Sequence, residues 1–220
     1  MINNQVKEKI RIKAKTFFKD ASGCHDWSHV ERVVKLAMKI GKIEKADLDV
    51  LEVAALLHDI GRKEEMKSKG SFCHAEKGAE IARLILGDLK IDKEIIDRIC
   101  HCIISHRNRN NHLPKTIEAK VLFDADKLDS IGAIGVARDF LFAGYAGSKN
   151  LYTGNEKILS KQKKNYSYTK EDSAILEYEI ILKKIKNKMI TKTGTKYAVD
   201  RHAYMKNYFI RFWKEVEGKL

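Results

Sequence analysis

Two polar side chains stand at the end of an otherwise apolar segment. Residues 51–57 read LEVAALL, which is apolar on nearly every side after Glu52, and His58 and Asp59 follow directly. A helix that is apolar on all sides is buried in the interior of a protein. Burying an imidazole and a carboxylate at its end costs several kcal/mol unless each group finds a partner. A bound metal ion would serve both groups, so the pair indicates a metal site.

Another histidine and a group of aspartates also border the expected core. His29 opens a segment whose apolar stripe runs through residues 30–40, and it lies within about half a helical turn of that stripe. Residues 121–129 read VLFDADKLD, which places carboxylates among residues expected to be buried. Asp126 and Asp129 share one helical face. Their repulsion would raise their pKa values and destabilise the helix unless a cation lies between them or they cap neighbouring groups.

The order H…HD…D, with HDIG at residues 58–61, resembles the HD-domain phosphohydrolase superfamily. The resemblance implies that the chain binds its metal through four ligands, namely His29, His58, Asp59 and Asp126. An HD dipeptide alone arises by chance in many sequences, whereas four ligands in the expected order form a specific pattern. We therefore expect a metal-dependent hydrolase.

The likeness extends over most of the chain. Residues 25–33 (HDWSHVERV) are similar to the opening motif of a branch of small stand-alone bacterial and archaeal HD hydrolases, and residues 124–138 (DADKLDSIGAIGVAR) are similar to its central helices. Residues 193–196 and 201–205 resemble the C-terminal helix of the same branch.

The expected ligand set restricts the choice of metal. Imidazole and carboxylate ligands without a thiolate suit a borderline divalent ion, that is Mn, Fe, Co, Ni or Zn. Such an ion lowers the pKa of a bound water toward neutrality and neutralises charge on phosphoryl oxygens as the water attacks. We expect one divalent transition metal ion as cofactor and leave a second open.

Further residues of these motifs have expected catalytic roles. Arg62 takes the place of the lysine in the HDIGK form of the motif, which the resemblance implies contacts phosphate, and an arginine could grip two oxygens at once. On a helix, Asp124 and Asp126 point about 200° apart and cannot face the same ion. The resemblance selects Asp126, the carboxylate before Lys127. Asp129, one turn on, is then expected to orient a ligand, a bound water or Arg62.

His74 and His106 lie between the HD pair and the aspartates. In HD proteins with two metals, histidines occur in this order, so the sequence resembles H-HD-H-H-D. The two side chains could bind a second ion, grip substrate phosphate beside a single ion, or be ordinary histidines at the edge of the core. We expect contact with a metal or with the substrate, with one ion slightly preferred over two.

The elements that must position these residues are all helices. No window alternates apolar and polar residues as a half-buried strand does, and the chain has a single proline and only 13 glycines. The expected class is all-α, and the resemblance implies a compact helical bundle of the HD-domain type. Periodicity predicts helices near residues 4–19, 27–43, 47–61, 73–88, 92–106, 115–129, 131–144, 171–190 and 196–217.

One domain is expected for residues 1–220. Residues 21–145 would form its metal-site core, and residues 146–220 would form basic C-terminal helices that pack on that core. Residues 144–169 lack helical periodicity and are expected to be a mobile flap or a linker.

Charge is unevenly distributed along the chain. The net charge is +13, and residues 146–220 hold 17 lysines and arginines against 8 acidic residues. This excess favours an anionic partner, although a solvated surface of thermophile-like composition accounts for it equally well. The four cysteines lack CxxC spacing and are expected to be reduced, and neither a signal peptide nor a membrane span is evident. We expect a soluble, cytoplasmic protein with no membrane partner.

The expected function is hydrolysis of a phosphate ester or anhydride, with a small phosphorylated molecule such as a nucleotide as substrate. No GYP motif follows His106, which counts against cyclic dinucleotide phosphodiesterases of the same superfamily. Two alternatives remain open. One is a di-iron HD-fold oxygenase, and the other, which is not favoured, is a nucleic-acid-binding module with a vestigial site that uses the basic C-terminal third.

Overall fold

Helices joined by loops make up the described part of the chain. A computed structural model of the protein describes residues 2–19, 21, 24–68, 72–162 and 173–220, and it contains no β-strand within those ranges, which confirms the all-α class. The helices are α1 Asn4–Thr16, α2 Trp27–Glu44, α3 Leu48–Leu57, α4 Arg62–Lys67, α5 His74–Asp88, α6 Lys93–Ser105, α7 Ile117–Asp129, α8 Gly132–Tyr145, α9 Glu156–Leu159, α10 Ala174–Ile180 and α11 Lys192–Val216, with a 3₁₀ helix at Leu182–Lys188.

The chain divides into two compact units, residues 1–126 and residues 127–220. In the first unit, α3 packs against α1, α2 and α6, while α5 packs against α4 and α6. Val53, Leu56 and Leu57 of α3 have no exposed surface, as the apolar composition of this helix predicts. Helix α3 is therefore the centre of the first unit, and its last residue leads directly into His58 and Asp59.

Side-chain caps fix where the site-bearing helices begin. Asp26 caps α2 by accepting a hydrogen bond from the backbone N–H of His29, which satisfies one of the free donors at that helix start. Asp47 caps α3 in the same way through the N–H groups of Asp49 and Val50. These caps set the register of α2 and α3, and hence the turn in which the histidines lie.

The second unit contains α8 to α11 and the 3₁₀ helix. Helix α8 packs against α10 and α11, and the 3₁₀ helix contacts the same two helices, α10 and α11. Its core is aromatic: the Tyr178 and Phe209 rings stack with centroids 4.1 Å apart, and Phe140 lies near Phe209 at 6.4 Å. Offset and tilted ring pairs of this kind contribute beyond their buried area.

Several expected boundaries were wrong. The helix expected at 47–61 ends at Leu57, and a short separate helix, α4, follows the HDIG turn. The helix expected at 171–190 is divided into α10 and the 3₁₀ helix, with residues 171 and 172 outside the described part. Helix α9 lies within the segment 144–169 that was expected to lack helix, and residues 163–169 of that segment lie outside the described residues. Helices α4 and α9 have only one or two turns, which is too short for a hydrophobic periodicity to show in the sequence.

Gly61 serves close packing and not a left-handed helix end. The described glycines with left-handed backbone are Gly132, Gly147, Gly154 and Gly218, and Gly61 is not one of them. A Cβ atom on Gly61 would lie 2.4 Å from the carbonyl oxygen of His74. Glycine here therefore lets the first turn of α5 approach the HDIG turn, which brings His74 next to the HD pair. In the described part of the chain, no helix has the length and apolar character to cross a membrane.

Candidate metal centre

Three side chains from three helices form what we call the first cluster, His29, His58 and Asp126. The Nε2 atoms of His29 and His58 lie 3.3 Å apart. Asp126 places Oδ1 at 3.5 Å from Nε2 of His29 and at 4.0 Å from Nε2 of His58. These three atoms face a common point, as ligands of one ion do.

Three further side chains form the second cluster, Asp59, His74 and His106. The Nε2 atoms of the two histidines lie 3.2 Å apart. Oδ1 of Asp59 lies 2.9 Å from Nε2 of His74 and 3.5 Å from Nε2 of His106. All three residues are buried.

Asp59 joins the two clusters. Its Oδ2 atom lies 3.8 Å from Nε2 of His29 and 3.9 Å from Nε2 of His58, while its Oδ1 atom faces His74 and His106. A carboxylate that offers one oxygen to each of two ligand groups can bridge two ions. The structure thus brings together the four expected ligands and also the two histidines whose role the sequence left open.

Hydrogen bonds at Nδ1 set the tautomers of three of the histidines. Nδ1 of His58 donates to the carbonyl of Ala55 at 2.8 Å, and Nδ1 of His106 donates to the carbonyl of Ile103 at 2.6 Å. Nδ1 of His74 donates to Oε2 of Glu65 at 2.6 Å. A carbonyl or carboxylate oxygen accepts only, so each ring in its neutral form carries its proton on Nδ1 and presents the Nε2 lone pair, the form that binds a metal.

An unsatisfied carboxylate oxygen shows that a cation fits this site. Oδ1 of Asp59 is buried and receives no hydrogen bond from any residue in the described ranges. Its close neighbour, Nε2 of His74, presents a lone pair in the tautomer that Glu65 selects, so the 2.9 Å approach is between two acceptors. Buried acceptors of this kind need a positive charge. A divalent ion with imidazole and carboxylate ligands satisfies both atoms.

The electrostatics keep the ligands in their binding forms. Burial would raise the pKa of the Asp59 carboxyl, but the positive charge of the Arg62 guanidinium holds this pKa well below its usual range. Burial lowers the pKa of His106 to about 4. At neutral pH the carboxylate is therefore ionised and the His106 imidazole is neutral, which are the states that bind metals.

The four histidines of the two clusters and Asp126 lie at the ends of helices. His29 is in the first turn of α2, and His74 is the first residue of α5. His58 and His106 are the C-cap residues of α3 and α6, and Asp126 is in the last turn of α7. Backbone carbonyls left free at helix C-termini accept the Nδ1 protons of the two C-cap histidines. The helix ends thus orient the imidazoles as well as carrying them.

The remaining sequence-predicted residues lie in different places. The Nε atom of Arg62 lies 3.5 Å from Oδ2 of Asp59, beside the first cluster. Asp124 is buried and is in neither cluster. Asp129 is buried in the second unit, where its Oδ2 accepts from Nη1 of Arg138 at 2.7 Å. That ion pair accounts for the burial of Asp129, and its expected orienting role stays a prediction.

Sequence reasoning missed two charged residues next to the site. Glu65 hydrogen-bonds His74, and Arg107 donates from Nη1 to Oε1 of Glu65 at 2.6 Å. Glu65 lies in the charged run RKEEMK, which as a sequence indicates a solvated surface. The signals that could have found them are the position of Glu65 one helical turn after Arg62 and the position of Arg107 directly after His106.

Comparison with known families matches residues 26–131 to the HD domain. The uncharacterized protein YpgQ of Bacillus subtilis is 34% identical over 215 residues, which is 96% of this chain and 94% of YpgQ.

Solved structures agree with this match. The crystal structure of Bacillus subtilis YpgQ in complex with ADP superimposes with a TM-score of 0.73 at 32% identity, covering 96% of this chain and 98% of that one. A predicted HD superfamily hydrolase from an uncultured Thermotogales bacterium superimposes with a TM-score of 0.64 at 29% identity, covering 94% of this chain and 91% of that one.

Proposed function

The chain belongs to the HD-domain family, and from that premise we propose that it is a metal-dependent phosphohydrolase of a nucleotide or a related small molecule. The bond broken would be a phosphate ester or anhydride. The observation that carries the proposal is the position of Asp59, which presents one oxygen to each histidine cluster. The ADP bound to the related YpgQ supports a nucleotide substrate for this chain.

Two ions fit the ligands better than one. His29, His58 and Asp126 would hold the first ion together with Oδ2 of Asp59, and this set has the composition that the sequence predicted. His74 and His106 would hold the second ion together with Oδ1 of Asp59. With a single ion, the buried Oδ1 atom and the two imidazole lone pairs facing it would have no counter-charge.

Divalent ions bound here would supply an acidified water and positive charge against the phosphoryl oxygens. The side chains of the protein supply orientation. The guanidinium of Arg62 lies beside Asp59 and is partly exposed, so it can hold a phosphate oxygen while its Nε remains near the carboxylate. Asp126 is the most exposed of the ligands, with 16% of its side-chain surface accessible, and it therefore marks the side from which a substrate reaches the site.

The test is a metal analysis of the purified protein combined with a screen for hydrolysis of nucleoside mono-, di- and triphosphates. We expect release of phosphate or pyrophosphate that a chelator abolishes and that Mn²⁺, Co²⁺ or another divalent ion restores. A protein that retains two ions per chain and releases neither product from any of these substrates would contradict the proposal.

A second candidate is a di-iron oxygenase, and the bridging position of Asp59 favours it because two irons also suit this ligand set. Iron content near two per chain with substrate-dependent oxygen consumption, and no hydrolysis in the screen, would select this alternative.

A further inference from the structure

Glu65 makes three contacts that tie the second cluster to two arginines. Its Oε2 atom accepts from Nδ1 of His74 at 2.6 Å and from Nη1 of Arg62 at 3.0 Å, and its Oε1 atom accepts from Nη1 of Arg107 at 2.6 Å. All three donors are in the first unit, and His74 is fully buried. Charge-assisted hydrogen bonds of this length hold the carboxylate in one orientation.

The Nδ1 partner of His74 is a side chain, whereas the Nδ1 partners of the two C-cap histidines are backbone carbonyls. His58 and His106 donate Nδ1 to carbonyls three residues earlier in their own helices, so the helix backbone fixes their rings. His74 is the first residue of α5, and no preceding helical turn offers it a carbonyl. The side chain of Glu65 takes the place of that carbonyl.

We infer that Glu65 is the positioning residue for the second ion: it fixes the tautomer and ring orientation of His74, so that Nε2 faces Oδ1 of Asp59. The inference rests on the two-ion site proposed above. A carboxylate behind a metal-binding imidazole orients the ring and raises its basicity as a ligand. Arg107 in turn fixes Glu65 from the side opposite His74.

The same carboxylate also reaches Arg62, which is expected to hold substrate phosphate. Oε2 of Glu65 is shared between His74 and Arg62, so the second ion and the phosphate-binding arginine are oriented by one atom. A defect at Glu65 should therefore weaken the second ion first and affect the first cluster less, because a backbone carbonyl and not Glu65 orients His58.

The experiment is a titration of the metal-stripped, full-length protein with Mn²⁺ by calorimetry, for the unsubstituted chain, Glu65→Ala, Glu65→Gln and Glu76→Ala. We expect two binding events in the unsubstituted chain. In Glu65→Ala the second should weaken by about 10- to 100-fold while the first keeps its affinity. Glu65→Gln keeps an acceptor oxygen for His74 and loses the charge facing the arginines, so an intermediate affinity is expected.

Glu76→Ala is the matched control. Oε1 of Glu76 lies 3.2 Å from Nε2 of His112, so the substitution also breaks a carboxylate–imidazole contact in the first unit, but one outside both clusters. Both binding events should be unchanged. Electron paramagnetic resonance gives a second readout: at a Mn²⁺ concentration that just fills both sites of the unsubstituted chain, that chain should show coupled pairs, whereas Glu65→Ala should show the signal of isolated ions.

The outcomes separate the two proposals. Two Mn²⁺ ions bound with unchanged affinities in Glu65→Ala and Glu65→Gln would overturn the role of Glu65 and leave the two-ion site standing. A stoichiometry of one Mn²⁺ per unsubstituted chain would overturn the two-ion site itself and the inference with it. If Glu65→Ala does not fold, the conservative Glu65→Gln decides the question by the same comparison.

Discussion

The two clusters differ in how their ligands are held and in how far they are exposed. In the first cluster, His58 is fixed by a backbone carbonyl, and Asp126 has 16% of its side chain exposed. In the second cluster, His74 is fixed by another side chain, and both histidines are at most 1% exposed. The histidines of the two clusters are equally buried, so under the proposed function a substrate would meet the first cluster through Asp126.

The two clusters therefore differ in how easily a substitution can alter them. A ligand that the helix backbone orients can be changed only by moving the helix, whereas a ligand that a side chain orients can be lost by one substitution. The proposed second ion would thus depend on Glu65, which lies in neither cluster. Asp59 offers an oxygen to each cluster, so a substitution there should affect both clusters at once.

The largest effect is expected from Asp59→Asn. The amide offers one neutral oxygen and cannot serve both clusters, so both ions should be lost or severely weakened. We expect hydrolysis to fall by at least about 1,000-fold, which corresponds to about 4 kcal/mol of transition-state stabilisation. Metal per chain and kcat/KM are the measurements. A variant that keeps two ions and most of its activity would show that Asp59 is not shared between the two clusters.

Asp126→Ala and Asp124→Ala test which aspartate of α7 is a ligand of the first ion. Asp126→Ala removes a ligand of the first ion only, so we expect about one ion per chain to remain and activity to fall by about 100-fold or more. Asp124 lies on the same helix, is buried, and is in neither cluster, so Asp124→Ala should retain both ions at some cost in stability. Loss of metal in Asp124→Ala, with retention in Asp126→Ala, would reverse the assignment of this helix.

Acid should destabilise the metal-free protein through the second cluster. The ordinary pKa of histidine is 6.5, and burial lowers that of His106 to about 4. The unfolded chain therefore binds more protons between these values, and stability falls as the pH drops from 6.5 to 4, by up to about 3 kcal/mol from this group. Urea unfolding across this pH range should show that the free energy of unfolding of the metal-free protein falls more steeply with decreasing pH than that of His106→Gln. Parallel curves would contradict the expected burial of a neutral imidazole.

The smallest effect is expected from Arg62→Ala. The guanidinium contacts Asp59 and Glu65 and is placed to meet phosphate, but it is not a ligand. We expect kcat/KM on the best phosphate substrate to fall by about 10- to 100-fold, with metal per chain unchanged. Unaltered kinetics would remove Arg62 from the substrate site, and a lost ion would show that it stabilises the second cluster through Glu65.

The sequence predicted the all-α class and the family because both depend on local patterns. The apolar run before His58 and Asp59 marks a buried helix end, and a buried imidazole and carboxylate require a partner wherever the rest of the chain lies. Four ligands in a recognisable order then name the family. The sequence did not predict the short helix α4 or the break between α10 and the 3₁₀ helix at residue 181. Each of these segments is too short to show a clear hydrophobic periodicity.

Which residues meet at the site was decided by the tertiary structure. His74 and His106 are 32 residues apart, and their Nε2 atoms lie 3.2 Å from each other because α5 and α6 pack side by side. Glu65 lies in a charged run that is typical of a solvated surface, yet it accepts a hydrogen bond from a buried histidine nine residues away. A ligand type is a property of one side chain and can be read from the sequence. The sharing of Asp59 between two clusters, and of Glu65 between His74 and two arginines, is a property of distances that only the packing of the helices sets.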